Sequence, residues 1–246
     1  MGIMRLDVAY DGARFRGWAA QEGLRTVQGE LESALTTLLR EPVRLAVAGR
    51  TDTGVHAWGQ VASFETAAAP PNGFLRSLNA ITGEDLAVLR VGPAPDGFDA
   101  RRDALSRTYC YRILARVPPS PFERGRALHW PHRLEREALA ACAALLPGTH
   151  DFTAFTPTDT EHVRFERNIL RAEWAEREGS IVEFWIEADA FMRNMVRILV
   201  GTMLEVGGGR RDLQSFERLL GGAPREAAGD TAPPHGLYLA AVRYAS

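Results

Sequence analysis

The sequence predicts an α+β fold in which helices pack on a mainly antiparallel, mixed sheet. Apolar residues alternate with polar ones in several segments, as in half-buried strands, and recur with helical spacing in others. The order of these segments is loosely similar in two halves, residues 1–104 and 105–246. With 246 residues, 46% of them hydrophobic, the chain is long enough to bury a core in one large domain or two smaller ones.

The first half is predicted to run strand, helix, strand, strand. Apolar alternation ends at about Tyr10, and Asp11–Gly12 then turns the chain. Thr26 is a suitable N-cap for a helix whose apolar spacing continues to Leu39, with Pro42 shortly after its end. The other elements of this half are a strand ending near Ala48, a strand over 61–64, a short helix over 74–79 and a strand over 86–91.

The second half repeats this order loosely, with no repeat visible residue by residue. Tyr109 and Tyr111 alternate onto one face of its first strand, where Tyr111 is expected to be a core residue. One helix, predicted over 191–206, is apolar around most of its circumference, which indicates an interior position. The predicted elements are strands over 108–114, 169–174, 181–188 and 237–244 and helices over 134–146, 191–206 and 212–220.

Composition excludes several classes of protein. None of the 29 basic residues is a lysine, which rules out a Walker-type phosphate loop and a Schiff-base enzyme. The net charge of −2 means that any bound RNA has to meet local patches of arginine rather than a generally basic surface.

No segment predicts a membrane or an export route. No apolar run approaches the roughly 18 to 20 residues that a membrane helix needs. The first residues follow a strand pattern and lack the apolar region of a signal peptide. Cys110 and Cys142 are far apart in the chain and are expected to be reduced and buried. We therefore expect a cytoplasmic protein.

Residues 49–57, G-R-T-D-T-G-V-H-A, form the most informative segment of the chain. Gly49 and Gly54 permit backbone angles that other residues resist, so a tight loop between two strands is expected. Such a loop would fix the carboxylate of Asp52 beside the guanidinium of Arg50, an arrangement suited to a nucleophile or base. The alternative is an ordinary turn in which Asp52 accepts backbone N–H bonds and Arg50 faces water.

Two arginines interrupt the apolar helix predicted over 191–206. Arg193 and Arg197 are four residues apart and are therefore expected on one face. A buried guanidinium needs a carboxylate partner or a wet cleft, and pairing of Arg197 with Asp52 would also keep that carboxylate ionised. The alternative is that this face of the helix is exposed to solvent.

These motifs together resemble the tRNA pseudouridine synthase A family. The family's catalytic loop reads G-R-T-D-A-G-V-H-A, from which this chain departs only at Thr53. The segment A-F-M-R-N-M-V-R-I-L-V-G resembles the family's third motif, and the R-x-Y spacing of Arg107 and Tyr109 resembles its second. Smaller matches are Y-D-G-x-x-F-x-G-W at 10–18, F-D-A-R at 98–101, H-D-F-T-A-F at 150–155 and G-L-Y-L-A-A-V near the C-terminus.

The resemblance implies a pseudouridine synthase fold with an active cleft between the two halves. It implies catalytic roles for Asp52 as nucleophile or base, for Tyr109 as the ring that stacks on the target uracil and takes its C5 proton, and for Arg197 as the partner of Asp52. The implied reaction isomerises uridine to pseudouridine at positions 38, 39 and 40 in the anticodon stem-loop of tRNA. A homodimer is also implied, with no cofactor and no metal.

Several arginines are candidates for binding this tRNA. Arg50 resembles the family residue that fills the space vacated by the flipped nucleotide. The others are candidates because arginine contacts phosphates bidentately, although each is about as well explained as a solvated surface charge. The predicted substrate-binding residues are Arg14, Arg16, Arg50, Arg101, Arg102, Tyr109 and Arg193.

Two other functions remain open from the sequence. The first is a metal-dependent hydrolase that would use Asp52, His56, His150 and Asp151. The glycine between the first two argues against the helical spacing that they would need to converge on a metal. The second is a non-catalytic RNA-binding module of the same fold, against which the presence of all three predicted catalytic residues argues.

Overall fold

The computed structural model describes residues 2–160 and 163–245. The chain forms two compact units, the first of Met1–Arg107 with Tyr238–Ser246 and the second of Thr108–Leu237. Each unit combines helices with a mainly antiparallel sheet that includes one parallel pair, so the predicted α+β class is confirmed. The division into halves 1–104 and 105–246 stays a prediction about domains, and the last strand of the chain belongs to the first compact unit.

Ten strands and five helices carry the fold of the described residues. The strands are β1 Gly2–Tyr10, β2 Ala46–Val47, β3 His56–Thr66, β4 Leu86–Pro93, β5 Ser106–Leu114, β6 Leu128–His129, β7 Gly148–Asp151, β8 Glu166–Arg177, β9 Ile181–Ala188 and β10 Leu237–Arg243. The helices are α1 Val27–Leu39, α2 Phe74–Ile81, α3 Arg136–Ala144, α4 Met195–Gly207 and α5 Leu213–Leu219.

The first unit contains a sheet in the order β4-β1-β3-β10, with the short β2 beside β3. Strand β1 is antiparallel to both β3 and β4, whereas β10 runs parallel to β3 with Tyr238 opposite His56. Burial explains the alternation that predicted β1, since Leu6 and Val8 are fully buried while Asp7 between them is partly exposed. The pairing of Tyr238 with His56 involves the first residue of β3.

Helix α1 begins where the sequence predicts. Thr26 Oγ1 accepts a hydrogen bond from the Gly29 N–H at 3.2 Å, which satisfies one of the unpaired donors of the first turn. The last helical bond runs from the Arg40 N–H to the Thr36 carbonyl, and the left-handed backbone of Arg40 (φ +56) then ends the helix. Its core face is fully buried at Leu31 and Leu35.

The second unit contains a sheet in the order β5-β9-β8-β7, with β6 parallel to β5. Strand β8 runs antiparallel to both β7 and β9. Helix α4 buries most of its residues, as its apolar circumference predicts, and Tyr111 has no exposed surface, which confirms it as a core residue. The largest fully buried side chains of this unit are Tyr111, Phe152, Phe155, Phe184 and Phe216.

Helix α4 differs from the prediction at its start. It was expected from Phe191 but begins at Met195, because Asn194 has a left-handed backbone (φ +60) that interrupts any helix before it. Arg193 therefore lies outside the helix. The expectation that Arg193 and Arg197 share one helical face is wrong.

Smaller differences concern short strands. The segment before the Asp52 loop forms only the two-residue β2, and β3 starts at His56, five residues earlier than predicted. Strands β6 and β7 are too short to leave a periodic signal in the sequence.

Cys110 and Cys142 are buried free thiols, as expected. No helix within the described part of the chain has the length and apolar character to cross a membrane.

Candidate active site

The loop that carries Asp52 connects β2 to β3 in the first unit. The Ala48 N–H donates to the Val61 carbonyl at 2.9 Å and closes the base of the loop. At its tip the Val55 N–H donates to the Asp52 carbonyl at 3.1 Å, and Gly54 has φ +79, an angle that favours glycine. The Asp52 side chain thus stands on a tight turn and is partly exposed.

Two side chains of the sheet hold the first part of this loop. The Gln60 amide nitrogen donates to the Gly49 carbonyl at 2.7 Å and to the Tyr10 hydroxyl at 3.3 Å. The Tyr10 hydroxyl is 2.8 Å from Thr51 Oγ1. Burial raises the pKa of Tyr10 to about 12, against the smaller opposite effect of its hydrogen bonds to Thr51 and Gln60, so the phenol is neutral.

The segment after β1 wraps the other side of the loop. The Trp18 N–H donates to the Thr51 carbonyl at 3.0 Å, and the Gly12 N–H donates to His56 Nδ1 at 3.0 Å. A Cβ at Gly12 would lie 2.0 Å from the Val55 carbonyl oxygen, so only glycine allows this approach. The Y-D-G-x-x-F-x-G-W motif therefore supports the loop through its backbone.

His56 closes the loop as a structural residue. Its side chain is almost fully buried, and its ring stacks on Tyr238 of β10 with the ring centres 4.6 Å apart. Because the Gly12 N–H points at Nδ1, this nitrogen is the acceptor and the ring hydrogen lies on Nε2. The Asp11 carboxylate lies 3.1 Å from the same Nδ1 and also accepts the Ala13 N–H at 3.0 Å.

Arg107 fixes the entry of the loop, a role that the sequence did not reveal. Its Nε and Nη2 both donate to the Ala48 carbonyl, at 3.0 and 2.9 Å. Nη1 donates to the Ala104 carbonyl at 3.0 Å, and Nη2 also donates to the Arg101 carbonyl at 2.7 Å. A guanidinium can reach three carbonyls because its donors are fixed in one plane.

The predicted tRNA-binding arginines of the first unit point outward. Asp99 organises the turn of two of them, since its carboxylate accepts the backbone N–H groups of Arg101 and Arg102 at 2.8 Å each. Arg102 also donates to the Gly97 carbonyl at 2.9 Å. Such exposed guanidinium groups suit phosphate contacts and solvation equally. The exposed side chains are those of Arg14, Arg16, Arg50, Arg101 and Arg102.

In the second unit Arg197 is tied to a neighbouring segment. Its Nε donates to the Ala232 carbonyl at 2.7 Å, while the Ala232 N–H donates back to the Arg197 carbonyl at 3.1 Å. Its Nη1 donates to Asn194 Oδ1 at 2.8 Å. The Arg197 guanidinium is therefore oriented by the Ala232 carbonyl and by Asn194, the residue directly before α4.

Tyr109 lies in the same unit with only 8% of its surface exposed. Its ring meets the Phe191 ring edge to face, with the centres 5.0 Å apart and the planes at 82°. Arg193 is exposed and pairs with the Asp159 carboxylate, which lowers the pKa of Asp159 through that hydrogen bond. Arg193 is therefore a separate feature from Arg197.

Comparison with known proteins identifies the family. A family model described as tRNA pseudouridine synthase matches residues 142–245. The tRNA pseudouridine synthase A of Frankia casuarinae is 46% identical over 98% of this chain and 89% of its own length. The chain belongs to the tRNA pseudouridine synthase A family. It is accordingly an isomerase.

Two further relatives in the tRNA pseudouridine synthase A family also match almost the whole of this chain. The Bacillus subtilis protein is 40% identical over 98% of both chains, and the Chloroflexus aurantiacus protein is 44% identical over 99% of this chain and 89% of its own. The solved structure of an H/ACA ribonucleoprotein bound to a substrate RNA containing 2′-deoxyuridine is much less similar. It shows 14% identity and a TM-score of 0.38, over 82% of this chain and 44% of that one.

The predicted catalytic residues of this tRNA pseudouridine synthase A family member are divided between the two compact units. Asp52 belongs to the first unit, whereas Tyr109 and Arg197 belong to the second, and the pairing of Arg197 with Asp52 stays a prediction.

The residues of the alternative hydrolase have other partners in the structure. Asp151 accepts hydrogen bonds from the backbone and hydroxyl of Thr153, and His150 approaches the Pro147 carbonyl at 3.4 Å. Across residues 2–160 and 163–245, no group of three or more histidines, cysteines and carboxylates is arranged to hold a metal ion.

Proposed function

We propose that this isomerase converts uridine to pseudouridine at positions 38, 39 and 40 of the tRNA anticodon stem-loop, with Asp52 as the nucleophile or base. One observation carries the proposal. The carboxylate of Asp52 stands partly exposed on a loop whose flanking residues are bonded to other elements at Ala48, Gly49 and Thr51. A group fixed in this way needs little rearrangement before it reacts.

The chemistry needs few protein groups. The glycosidic bond between C1′ and N1 breaks, the uracil turns, a bond forms between C1′ and C5, and the C5 proton leaves while N1 gains one. No oxidation occurs, so no redox cofactor is needed. Asp52 acts on the substrate when the glycosidic bond breaks, and Tyr109 stacks on the detached base and takes the C5 proton. Arg197 keeps the Asp52 carboxylate ionised.

The tRNA is held by local arginine contacts, because the whole chain has a net charge of −2. The target nucleotide leaves its stack at a cost of a few kcal/mol, and Arg50 fills the space that it vacates. The remaining contacts are phosphate contacts of Arg14, Arg16, Arg101, Arg102 and Arg193. We also propose a homodimer on the basis of the family resemblance, which light scattering of the purified protein tests directly.

The test uses an unmodified tRNA transcript with uridine at positions 38 to 40, in the presence of a chelator. Pseudouridine formation and tRNA affinity are measured for the native chain and for Asp52→Asn, which removes the charge but keeps the shape. Asp96→Asn is the matched control, since it removes an exposed carboxylate of the same unit. We expect Asp52→Asn to bind tRNA and form no pseudouridine, and Asp96→Asn to keep full activity.

Three results would overturn this proposal. Activity that survives in Asp52→Asn would remove Asp52 from the reaction. Tight tRNA binding by the native chain with no pseudouridine at any of the three positions would favour the non-catalytic RNA-binding module. Activity lost in chelator and restored by a divalent metal would favour the hydrolase-type site.

A further inference from the structure

A chain of three buried side chains extends from the sheet of the first unit into the Asp52 loop. The Gln60 amide nitrogen lies 2.7 Å from the Gly49 carbonyl oxygen and 3.3 Å from the Tyr10 hydroxyl. The Tyr10 hydroxyl lies 2.8 Å from Thr51 Oγ1. This series of hydrogen bonds therefore ends on Thr51, the residue directly before Asp52.

The available donors fix the direction of these hydrogen bonds. The Gln60 nitrogen can only donate, so the Tyr10 oxygen accepts from it. Because the buried phenolic hydrogen also needs an acceptor and Thr51 Oγ1 is 2.8 Å away, we assign the donation to Thr51. Burial raises the pKa of Tyr10 to about 12, so the phenol keeps this hydrogen throughout the neutral range.

Burial makes the hydrogen bond between Tyr10 and Thr51 difficult to replace. Gln60 has no exposed surface, and Tyr10 and Thr51 are 5% and 6% exposed. A polar group that loses its partner in such surroundings cannot turn to water, so the structure has to move or bear the cost. Removing one hydroxyl is therefore expected to displace the loop.

Thr51 is held at two points, which makes it an effective support for its neighbour. Its carbonyl accepts the Trp18 N–H at 3.0 Å while its hydroxyl is bonded to Tyr10. On the other side of Asp52, the Val55 N–H donates to the Asp52 carbonyl at 3.1 Å. The backbone is thus fixed immediately before and after the carboxylate.

We propose that Tyr10 and Thr51 are positioning residues for the pseudouridine reaction, which aim the Asp52 carboxylate through the hydrogen bond between their hydroxyls. This inference rests on the proposed function of Asp52. Neither hydroxyl contacts the substrate in this scheme, and both act only through the backbone that leads into Asp52.

The test compares variants that differ by one hydroxyl. Tyr10→Phe and Thr51→Val each remove a hydroxyl and nearly keep the shape, while Thr51→Ser keeps the hydroxyl and loses a methyl group. We expect the first two to lower kcat about 10- to 100-fold, because small misplacements of a reacting group have large effects. Their KM for tRNA should change less than about twofold, since no tRNA contact is removed. Thr51→Ser should recover most of kcat.

Tyr244→Phe is the matched control. This hydroxyl donates to the Ala100 carbonyl at 2.7 Å, and burial raises the pKa of Tyr244 as it does for Tyr10. The hydroxyl that this variant removes bonds Ala100 and not the Asp52 loop, while the Tyr244 ring, which packs near Ala48 at the base of the loop, is kept. We expect kcat to stay at the native value, and circular dichroism with the thermal midpoint confirms that every variant is folded at the assay temperature.

A double variant tests whether the two hydroxyls act as one. If they act through a single hydrogen bond, Tyr10→Phe combined with Thr51→Val lowers kcat no further than the worse single variant. Losses that multiply would contradict the proposal, because they would show two independent effects.

The outcomes separate this inference from the proposed function. If Asp52→Asn is active, the proposed function fails whatever Tyr10 and Thr51 do. If Asp52→Asn is inactive while folded Tyr10→Phe and Thr51→Val keep native kcat, only the positioning role is overturned. The positioning role is also overturned if Thr51→Ser loses as much kcat as Thr51→Val, or if the variants raise KM alone.

Discussion

The Asp52 loop and the start of helix α4 each carry one charged residue of the proposed catalytic set, but the two regions hold it in different ways. In the loop, other elements bind the backbone around the charged residue, and Thr51 is bonded through both its carbonyl and its hydroxyl. At α4, Arg197 is held by its own guanidinium, through the Ala232 carbonyl and Asn194. Hydrogen bonds around Asp52 fix the backbone that carries it, whereas hydrogen bonds at Arg197 orient the guanidinium itself.

The chemistry of the two side chains explains this difference. Hydrogen bonds on the neighbours of Asp52 fix the backbone of the loop and thereby position its carboxylate. A guanidinium has five N–H donors, so two of them can set its orientation without using up its hydrogen-bonding capacity. The comparison therefore predicts that the function of Asp52 is also sensitive to changes in the residues around it, whereas that of Arg197 depends mainly on its own side chain.

Both regions share a glycine pressed against a carbonyl. A Cβ at Gly12 would lie 2.0 Å from the Val55 carbonyl oxygen, at the end of the Asp52 loop. A Cβ at Gly201 would lie 1.8 Å from the Asp230 carbonyl oxygen, in the segment that leads to Ala232. At Gly12 the close approach packs the segment after β1 against the Asp52 loop. At Gly201 it packs α4, which carries Arg197, against the segment that leads to Ala232.

After the complete loss expected for Asp52→Asn, the largest effect in this comparison is expected at Arg197. Arg197→Gln removes the charge and shortens the side chain that makes both orienting bonds, so kcat should fall by about 10²- to 10³-fold. Arg197→Lys keeps the charge but lacks the planar fork, and should recover little activity. Single-turnover pseudouridine formation is the measurement, with Arg218→Gln, an exposed arginine of α5, as the control. Activity of Arg197→Gln within about threefold of native would remove Arg197 from the catalytic set.

The two glycines test whether both regions depend on close backbone approach. Gly12→Ala and Gly201→Ala should each lower the free energy of unfolding by about 1–3 kcal/mol, because the added methyl group meets a backbone carbonyl. Gly12→Ala should also reduce kcat of the folded enzyme, since it pushes on the end of the Asp52 loop. Gly92→Ala is the control, because nothing lies within 4 Å of its added Cβ. Native stability in Gly12→Ala would show that the Asp52 loop can shift to accommodate the methyl group. It would contradict the view that tight backbone contacts hold this loop.

Features encoded by neighbouring residues were predictable from the sequence. The nine-residue motif at 49–57 revealed the Asp52 loop, and the Thr26 cap gave the first residue of α1. The start of α4 was missed because apolar spacing says nothing about the left-handed backbone at Asn194. Apolar residues before that point pack into the unit without being helical, as buried Met192 shows.

The supports of the loop were not predictable, because they join residues far apart in the chain. Tyr10 and Thr51 are separated by 41 residues and Arg107 and Ala48 by 59, so each pair depends on how the strands are arranged. The register shift of β1 between Val8 and Tyr10 also sets the position of the Tyr10 ring, and no periodic pattern encodes it. Only the fold could show that Arg107 supports the loop.

The smallest effect expected is on stability at alkaline pH. Burial raises the pKa of Tyr10 to about 12 and also raises that of Tyr111, the buried tyrosine whose hydroxyl donates to the Pro233 carbonyl. The folded protein therefore keeps protons that the unfolded chain releases near pH 10. This stability is fully present below pH 10 and is lost as the pH rises through the raised values.

Chemical unfolding at pH 9 and pH 11 measures this loss, which is at most about 1.4 kcal/mol per pH unit for one tyrosine. Tyr10→Phe and Tyr111→Phe should each lose less stability than the native chain between these pH values. Equal losses in all three proteins would show that neither phenol resists ionisation. A smaller loss in Tyr10→Phe alone would assign the loss of unfolding free energy at alkaline pH to the region that supports Asp52. The two regions would then differ in stability as well as in their effect on activity.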